Sequence, residues 1–282
     1  MSKINPLSNL LFRPLAINDW GAKSIRSRAF ADLPEMPRPE SRESAERPRW
    51  LEMDYLGNKF PEPIKLANGV CKIPLMGPIT RGMGIAGQYY GMADTDTFVQ
   101  WVNEAANDET VSAILIHIQS PGGDAIGCDE AARAVSNAAK QKRVVAFTDD
   151  MMASAAYYIG SAADTIYATP SSIIGSIGTY CVIVDDSEYW KSMGVEFEVI
   201  RSGQFKGAGI DGWTDEQRAQ MQVMVDSFGE QFRGAVDDYR DGKVDRENME
   251  GQVWLGKDAI SKTVGIADFV VDNWIQLSQQ IN

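Results

Sequence analysis

Histidine is nearly absent from this chain of 282 residues, which contains only His117. One imidazole cannot supply the histidine sets that hold many zinc and iron ions. Cysteine is also scarce, because Cys71, Cys128 and Cys181 are widely spaced and form no CxxC pair. Disulfide scaffolds and structural zinc sites need more cysteines than this. The sequence therefore predicts reduced thiols, no disulfide framework and no histidine-rich metal site.

Basic charge and long apolar runs are lacking as well. Lys and Arg number 27 against 39 Asp and Glu, which gives a net charge of -12. Nonspecific binding to nucleic acid or anionic lipid needs a basic face, so neither partner is expected. No run approaches the roughly 18 apolar residues of a membrane helix. Pro6, Arg13 and Pro14 interrupt the apolar N-terminal stretch, so it does not match a signal peptide. We expect a cytoplasmic protein without a membrane anchor.

Composition divides the chain into unequal parts. Residues 34–49, PEMPRPESRESAERPR, contain four prolines and almost no apolar side chains. Such a segment buries too little surface to offset its ordering entropy, which is typical of a flexible linker. The predicted division is an N-terminal arm (1–30, partly helical around Trp20–Phe30), a flexible linker and lead-in (31–65), a main domain (66–275) and a C-terminal tail (276–282).

Strand and helix patterns alternate in the main domain. Strands are predicted over 69–79, 111–120, 143–149, 165–169, 177–185 and 195–203, and helices over 94–107, 125–140, 186–193 and 214–240. The 111–120 segment is continuously apolar, as in a strand covered on both faces. Alternation at this spacing predicts an α/β fold with a mainly parallel sheet.

Two predicted strand ends carry residues that suit catalysis. SPGGD (120–124) follows one strand, and DDMMAS (149–154) follows the next. Ligands bind at the carboxyl ends of parallel strands. Backbone N–H groups of the glycine turn, together with a helix start, could form an oxyanion hole beside a Ser154 nucleophile. The alternatives are a tight turn that needs glycine and a serine that caps its helix.

A serine nucleophile needs a base. His117 lies in the middle of an apolar strand and is interpreted as structural, which argues against a Ser-His-Asp triad. Lys206 follows a predicted strand and lies among glycines. A lysine serves as base when burial lowers its pKa from about 10.4 toward about 7–8. The alternative for Lys206 is an ordinary solvated lysine.

Four ordered motifs resemble those of the S49 serine peptidases, the relatives of signal peptide peptidase A. They are SPGG, ASAAYY, GSIG (175–178) and SGQFK, followed by GQVWLGKDAISKTVGIADFVV (251–271), which is similar to the closing motif of that family. The resemblance covers residues 69–272. It implies the ClpP/crotonase fold of repeated ββα units.

The resemblance also implies roles for individual residues. Ser154 corresponds to the nucleophile and Lys206 to the general base, with Ser176 orienting the lysine amine. The amides of Gly123 and Ala155 correspond to the oxyanion hole. The implied reaction is amide hydrolysis of protein or peptide substrates through an acyl-enzyme, without metal or cofactor, in a homo-oligomer.

The N-terminal NLLFRPLAI resembles the opening of phage members of this family, the head-maturation proteases that cut scaffold and portal proteins. Three alternatives stay open. They are a host-type peptidase that degrades peptides or signal sequences, a crotonase-type acyl-CoA enzyme and a non-catalytic procapsid component. One departure concerns the substrate groove, because GAGIDGWTDEQ follows the lysine where many members have Asp and then Pro-Phe.

Overall fold

The computed structural model describes residues 15–17 and 58–281. Of the predicted arm, only the three residues 15–17 are described, as a strand. The expected helix around Trp20–Phe30 and the linker segment 34–49 lie outside the described residues.

The strands and helices alternate along the main domain. The strands are β1 (Leu15–Ile17), β2 (Ile64–Lys65), β3 (Val70–Met76), β4 (Ile79–Thr80), β5 (Ala93–Asp94), β6 (Ala113–Gln119), β7 (Gly122–Asp124), β8 (Arg143–Thr148), β9 (Met151–Ala153), β10 (Thr165–Ala168), β11 (Ile173–Gly175), β12 (Val253–Leu255) and β13 (Phe269–Val270). The helices are α1 (Gly84–Tyr89), α2 (Thr95–Asn107), α3 (Cys128–Ala139), α4 (Ala155–Gly160), α5 (Ser187–Ser192), α6 (Asp215–Tyr239), α7 (Gly256–Ala259) and α8 (Trp274–Gln280), with a 3₁₀ turn at Arg246–Asn248.

A six-stranded sheet in the order β13-β10-β8-β6-β3-β2 forms the centre of the domain. All its pairs are parallel except β2 with β3. Helices α2 and α3 pack against each other on one face, over a core that includes Ile114 and Ile116. The other face is covered in part by α8, whose Leu277 is buried against Leu115 and Phe147. The predicted α/β fold with a mainly parallel sheet is confirmed.

Each main strand leads into a shorter strand and then a helix. The units β3-β4-α1, β6-β7-α3 and β8-β9-α4 repeat this ββα pattern. The short strands belong to two smaller sheets, β1-β7-β4-β5 and β12-β11-β9. These sheets lie beyond the carboxyl ends of the central strands, where the sequence analysis expects the functional site.

The predicted helices 94–107 and 214–240 begin where the structure begins them, whereas the helix predicted from residue 125 begins at Cys128. The Asp94 side chain accepts a hydrogen bond from the Thr97 amide at the start of α2. Thr214 and Gln217 form a capping box at the start of α6, which ends at Tyr239. The predicted domain end at residue 275 falls inside α8, and Ile281 after that helix is buried. Among residues 15–17 and 58–281, no helix has the length and apolar character of a membrane span.

Two strand predictions are wrong. Residues 181–185 and 195–201, within the predicted strands 177–185 and 195–203, form neither strand nor helix. Several of their apolar side chains are exposed, with 65% of Val184 and 95% of Ile200 accessible to solvent. An extended segment becomes a strand only where another strand accepts its backbone hydrogen bonds, and these segments find none among the described residues.

Candidate active site

Ser154 occupies a strained turn between β9 and α4. Its backbone has φ 55° and ψ -123°, a region that L residues avoid at a cost of about 1–3 kcal/mol. Its side chain makes no capping hydrogen bond, so the helix-cap alternative is not realised. The Oγ atom is buried and has no hydrogen-bond partner among the described residues. A strained strand-to-helix turn that carries an unpartnered hydroxyl is typical of serine nucleophiles.

Ser176 lies beside Ser154 because their strands are paired. In the parallel ladder of β9 and β11, Ala153 is opposite Gly175, and each serine follows directly. The Ser154 amide donates a hydrogen bond of 2.8 Å to the Gly175 carbonyl. Ser176 also has a positive φ of 59°. Its amide donates to the Gln252 carbonyl at 2.6 Å, which ties the turn to the segment before β12.

The glycine turn is bonded to the strand that precedes Ser154. The Ser120 amide donates to the Met151 carbonyl at 2.7 Å, and the Ala153 amide donates to the Ser120 carbonyl at 3.2 Å. Gly122 has φ 94°, so this turn does require glycine, as the alternative interpretation held. The turn and the start of α4 therefore lie together, in line with the expectation for an oxyanion hole.

The two predicted oxyanion donors have different surroundings. Ala155 is the first residue of α4, and its amide lies outside the intrahelical hydrogen-bond ladder. Gly123 lies in β7 and packs closely on β4, so that a Cβ atom there would be 2.0 Å from the Ile79 carbonyl oxygen. Helix α4 packs against β7, which brings these two positions into one region. Their role as oxyanion donors stays a prediction.

Lys206 is separated from this cluster. Its side chain is exposed in the turns that follow residue 201, and it makes no hydrogen bond or ion pair among the described residues. Since the Ser154 Oγ has no partner, Lys206 does not hydrogen-bond to it in this arrangement of one chain. The structure thus brings together Ser154, Ser176 and Ala155 with the glycine turn, and it leaves the predicted base outside.

His117 contacts residues other than Ser154. Its Nε2 atom is 2.8 Å from Oδ1 of Asp149, which also accepts a hydrogen bond from Gln119. Burial lowers the pKa of His117. The ring also lies against Phe147, at 5.3 Å between ring centroids. These contacts support the structural interpretation and leave Ser154 without an imidazole.

A cleft of about 620 Å³ lies beside Ser176, and the sequence analysis missed it. It runs between the β11–β12 layer and α6, whose Asp226 and Arg233 line it. The spacing of these residues along α6 places them on one face of the helix, which is the signal that could have pointed to it. The described residues contain no group of three or more His, Cys, Asp or Glu side chains that could hold a metal ion.

The family model described as peptidase family S49 matches residues 136–273. The chain carries a peptidase S49 domain. The matched range includes Ser154, Ser176 and Lys206, whereas the glycine turn with Gly123 precedes it. The resemblance inferred from the motifs is therefore confirmed at the level of the family.

Several curated proteins are similar to this chain. The head-tail preconnector protein GP5 of Enterobacteria phage P21 is 30% identical over 77% of this chain and 44% of its own length. The capsid assembly protease C of Escherichia phage lambda is 27% identical over 79% of this chain and 51% of its own length. A protein of Methanocaldococcus jannaschii described as a protease is 29% identical over 63% and 58%. The chain spans about half the length of these relatives.

Proposed function

We propose that this chain is a serine endopeptidase in which Ser154 is the nucleophile and Lys206 the general base. The observation that carries the proposal is the state of Ser154, namely a strained backbone and a buried hydroxyl without a partner. These features occur at the strand-to-helix turn of a chain with an S49 domain. An ordinary buried serine would form a hydrogen bond, and an ordinary turn of this shape would use glycine.

The proposed chemistry is acyl transfer. The Ser154 oxygen attacks the scissile carbonyl carbon while a neutral Lys206 amine takes the hydroxyl proton. The carbonyl oxygen becomes an oxyanion that accepts hydrogen bonds from the amides of Gly123 and Ala155. The C–N bond then breaks, and the lysine ammonium returns the proton to the leaving amine. Water attacks the acyl-enzyme by the same route, and Ser176 holds the lysine amine in position.

We infer that Lys206 reaches Ser154 from a second copy of the chain. Lys206 lies in the 181–213 segment, which carries half of the large exposed hydrophobic side chains of the described chain, including Tyr189 and Phe197. An accumulation of exposed apolar side chains favours a protein interface. The cleft beside Ser176 lies open to such a segment. Contact between copies would bury Lys206 as well, which the function of a lysine base requires.

The proposed substrates are proteins of a phage capsid. Two similar proteins are named as a head-tail preconnector protein and a capsid assembly protease. We propose that this chain likewise processes scaffold or portal proteins, in the host cytoplasm or within the procapsid. Co-expression with those proteins, followed by mass spectrometry of the products, tests the assignment. If the enzyme cleaves casein but the scaffold and portal proteins remain intact, the proposed substrates are wrong. The proposed peptidase activity would not be affected by that result.

The dyad is tested by single substitutions. Ser154→Ala and Lys206→Ala are each expected to lower the cleavage rate of fluorescein-labelled casein by at least about 10³-fold, because nucleophile and base act as a unit. Lys206→Arg is expected to be equally inactive, because arginine keeps its proton. Lys191→Ala, in the same 181–213 segment, is the matched control and should retain activity. A Lys206→Ala protein that cleaves at the native rate would refute the dyad.

The proposal that Ser154 and Lys206 of one active site come from different copies of the chain is tested by mixing two inactive variants. In oligomers formed from equal amounts of the Ser154→Ala and Lys206→Ala proteins, about a quarter of the sites combine an intact serine with an intact lysine from a neighbour. Activity should therefore return on mixing, although each protein alone is inactive. If the mixture stays inactive while native chains are active, Lys206 acts within its own chain.

A further inference from the structure

The N-terminal strand β1 occupies the edge of β7. Residues Leu15–Ile17 pair antiparallel with Gly122–Asp124, and Ala16 is opposite Gly123. In the sheet order β1-β7-β4-β5, strand β4 takes one side of β7 and β1 takes the other. The three residues are far from β7 in the sequence, so the pairing joins the N-terminal arm to the main domain.

This edge belongs to the surroundings of Ser154. Strand β7 continues the glycine turn, and Ser120 of that turn is bonded to Met151 and Ala153, just before Ser154. Helix α4, which begins directly after Ser154, packs against β7. A chain that pairs with β7 therefore runs beside the proposed nucleophile and the proposed oxyanion donor Gly123.

The edge has the properties of a site for extended peptides. An extended peptide binds a strand edge through main-chain hydrogen bonds, which depend little on its sequence. Gly122 has no side chain, so another backbone can approach it closely, whereas the space at Gly123 is taken by Ile79 of β4. One edge accepts one strand at a time, because each N–H and C=O group along it pairs once. Residues 15–17 and a substrate peptide therefore exclude each other there.

We propose that β1 is an internal competitor of the substrate. The N-terminal arm fills the β7 edge on which a protein substrate must pair to reach Ser154, and cleavage requires that β1 leave it. Because β1 is tethered, its effective concentration is on the order of mM, above the usual concentration of a free substrate. The proposal rests on the proposed function, since it takes Ser154 as the nucleophile.

The first test weakens the pairing of β1 in the chain of 282 residues. In Ala16→Pro, the proline has no N–H group and disturbs pairing with Gly123. The value of kcat/KM for fluorescein-labelled casein is expected to rise about tenfold as the tethered competitor is weakened. Ser24→Pro, in the same arm and beyond Leu15–Ile17 in the sequence, is the matched control and should leave kcat/KM unchanged. An unchanged kcat/KM in Ala16→Pro would overturn the proposal.

The second test does not depend on cleavage. In the Ser154→Ala background, Ala16→Pro should speed hydrogen exchange in Gly122–Asp124 and leave the protection of β6 as it was, which also reports an intact fold. A labelled synthetic peptide of residues 10–22 should bind this double variant more tightly than the Ser154→Ala protein. Unchanged exchange together with equal peptide binding would refute the competing strand. If neither the native protein nor any variant cleaves casein, the proposed function is wrong. Hydrogen exchange and peptide binding would still show whether the β7 edge pairs with β1 or with an added peptide.

Discussion

The conformation of Ser154 has a stability cost that its chemistry explains. A positive φ with ψ near -120° is adopted readily only by glycine. The buried hydroxyl without a partner adds a further cost of about 1–3 kcal/mol. A site chosen for stability alone would use neither feature. Both place the Oγ atom at the tip of the turn between β9 and α4.

Substitution of Ser154 should therefore separate stability from activity. Ser154→Gly relieves the backbone strain, and Ser154→Ala keeps it. We expect Ser154→Gly to be more stable than Ser154→Ala by about 1 kcal/mol in urea unfolding, after the entropy cost of glycine in the unfolded chain. Both variants should lack cleavage activity. Equal urea midpoints for the two would mean that the turn is not strained.

The positions of some site residues could be predicted from the sequence, and the positions of others could not. The position of Ser154 between a strand and a helix follows from local patterns. Its proximity to Ser176 depends on the pairing of Ala153 with Gly175, which links two strands that no local pattern joins. The isolation of Lys206 was not foreseen, because sequence order places the lysine after a predicted strand that the single chain does not form.

At the scale of elements, the helices over 94–107 and 214–240 were predicted well because their start signals are local. Asp94 and the Thr214–Gln217 box cap these two helices. The short helices α1 and α7 and the C-terminal α8 were not predicted. The strands over 181–185 and 195–201 failed because strand formation depends on a partner. The short strand β11 was missed, because it carries only three residues and takes its partners β9 and β12 from elsewhere in the chain.

The capping box of α6 gives a prediction for this element. Thr214→Ala removes the side-chain acceptor of the Gln217 amide and should lower the free energy of unfolding by about 1 kcal/mol. Thr214→Ser keeps the hydroxyl and should remain close to the native protein. Urea unfolding monitored by circular dichroism measures the difference. Equal losses in the two variants would show that the hydroxyl does not carry the effect.

At the scale of the whole molecule, one buried ion pair ties the long helix to the central sheet. Arg240, after α6, donates to both carboxylate oxygens of Asp268 at 2.8 and 2.9 Å. Asp268 also accepts from the Ile166 amide of β10. Burial of Asp268 opposes ionisation, but the hydrogen bonds and positive charge of Arg240, the Ile166 amide and the charge of Lys243 together outweigh burial and lower the pKa of Asp268. The pair therefore joins the end of α6 to the segment before β13 and, through the Ile166 amide, to β10.

Asp268→Asn should leave the Arg240 charge buried and uncompensated, with a loss of about 3–5 kcal/mol in the free energy of unfolding. Asp272→Asn, at an exposed position, is the control.

The Asp268 carboxylate also predicts a pH dependence of stability. Because the folded pKa of Asp268 lies below its unfolded value of about 3.9, the contribution of Asp268 to stability is complete above that pH and disappears as pH falls through the folded pKa. Native protein should therefore lose more stability than Asp268→Asn between pH 6 and pH 3. Parallel losses in both proteins would contradict this assignment.

The close contact of Gly123 with the Ile79 carbonyl bears on how this family can be compared by sequence. A Cβ atom at this position would lie 2.0 Å from the Ile79 carbonyl oxygen, so there is no space for even a methyl group, whatever the amide of Gly123 does in catalysis. Purifying selection would keep glycine here for packing alone. An invariant glycine at this position in an alignment of homologues would thus carry no information about the oxyanion hole, and a relative that has lost its nucleophile should still retain it.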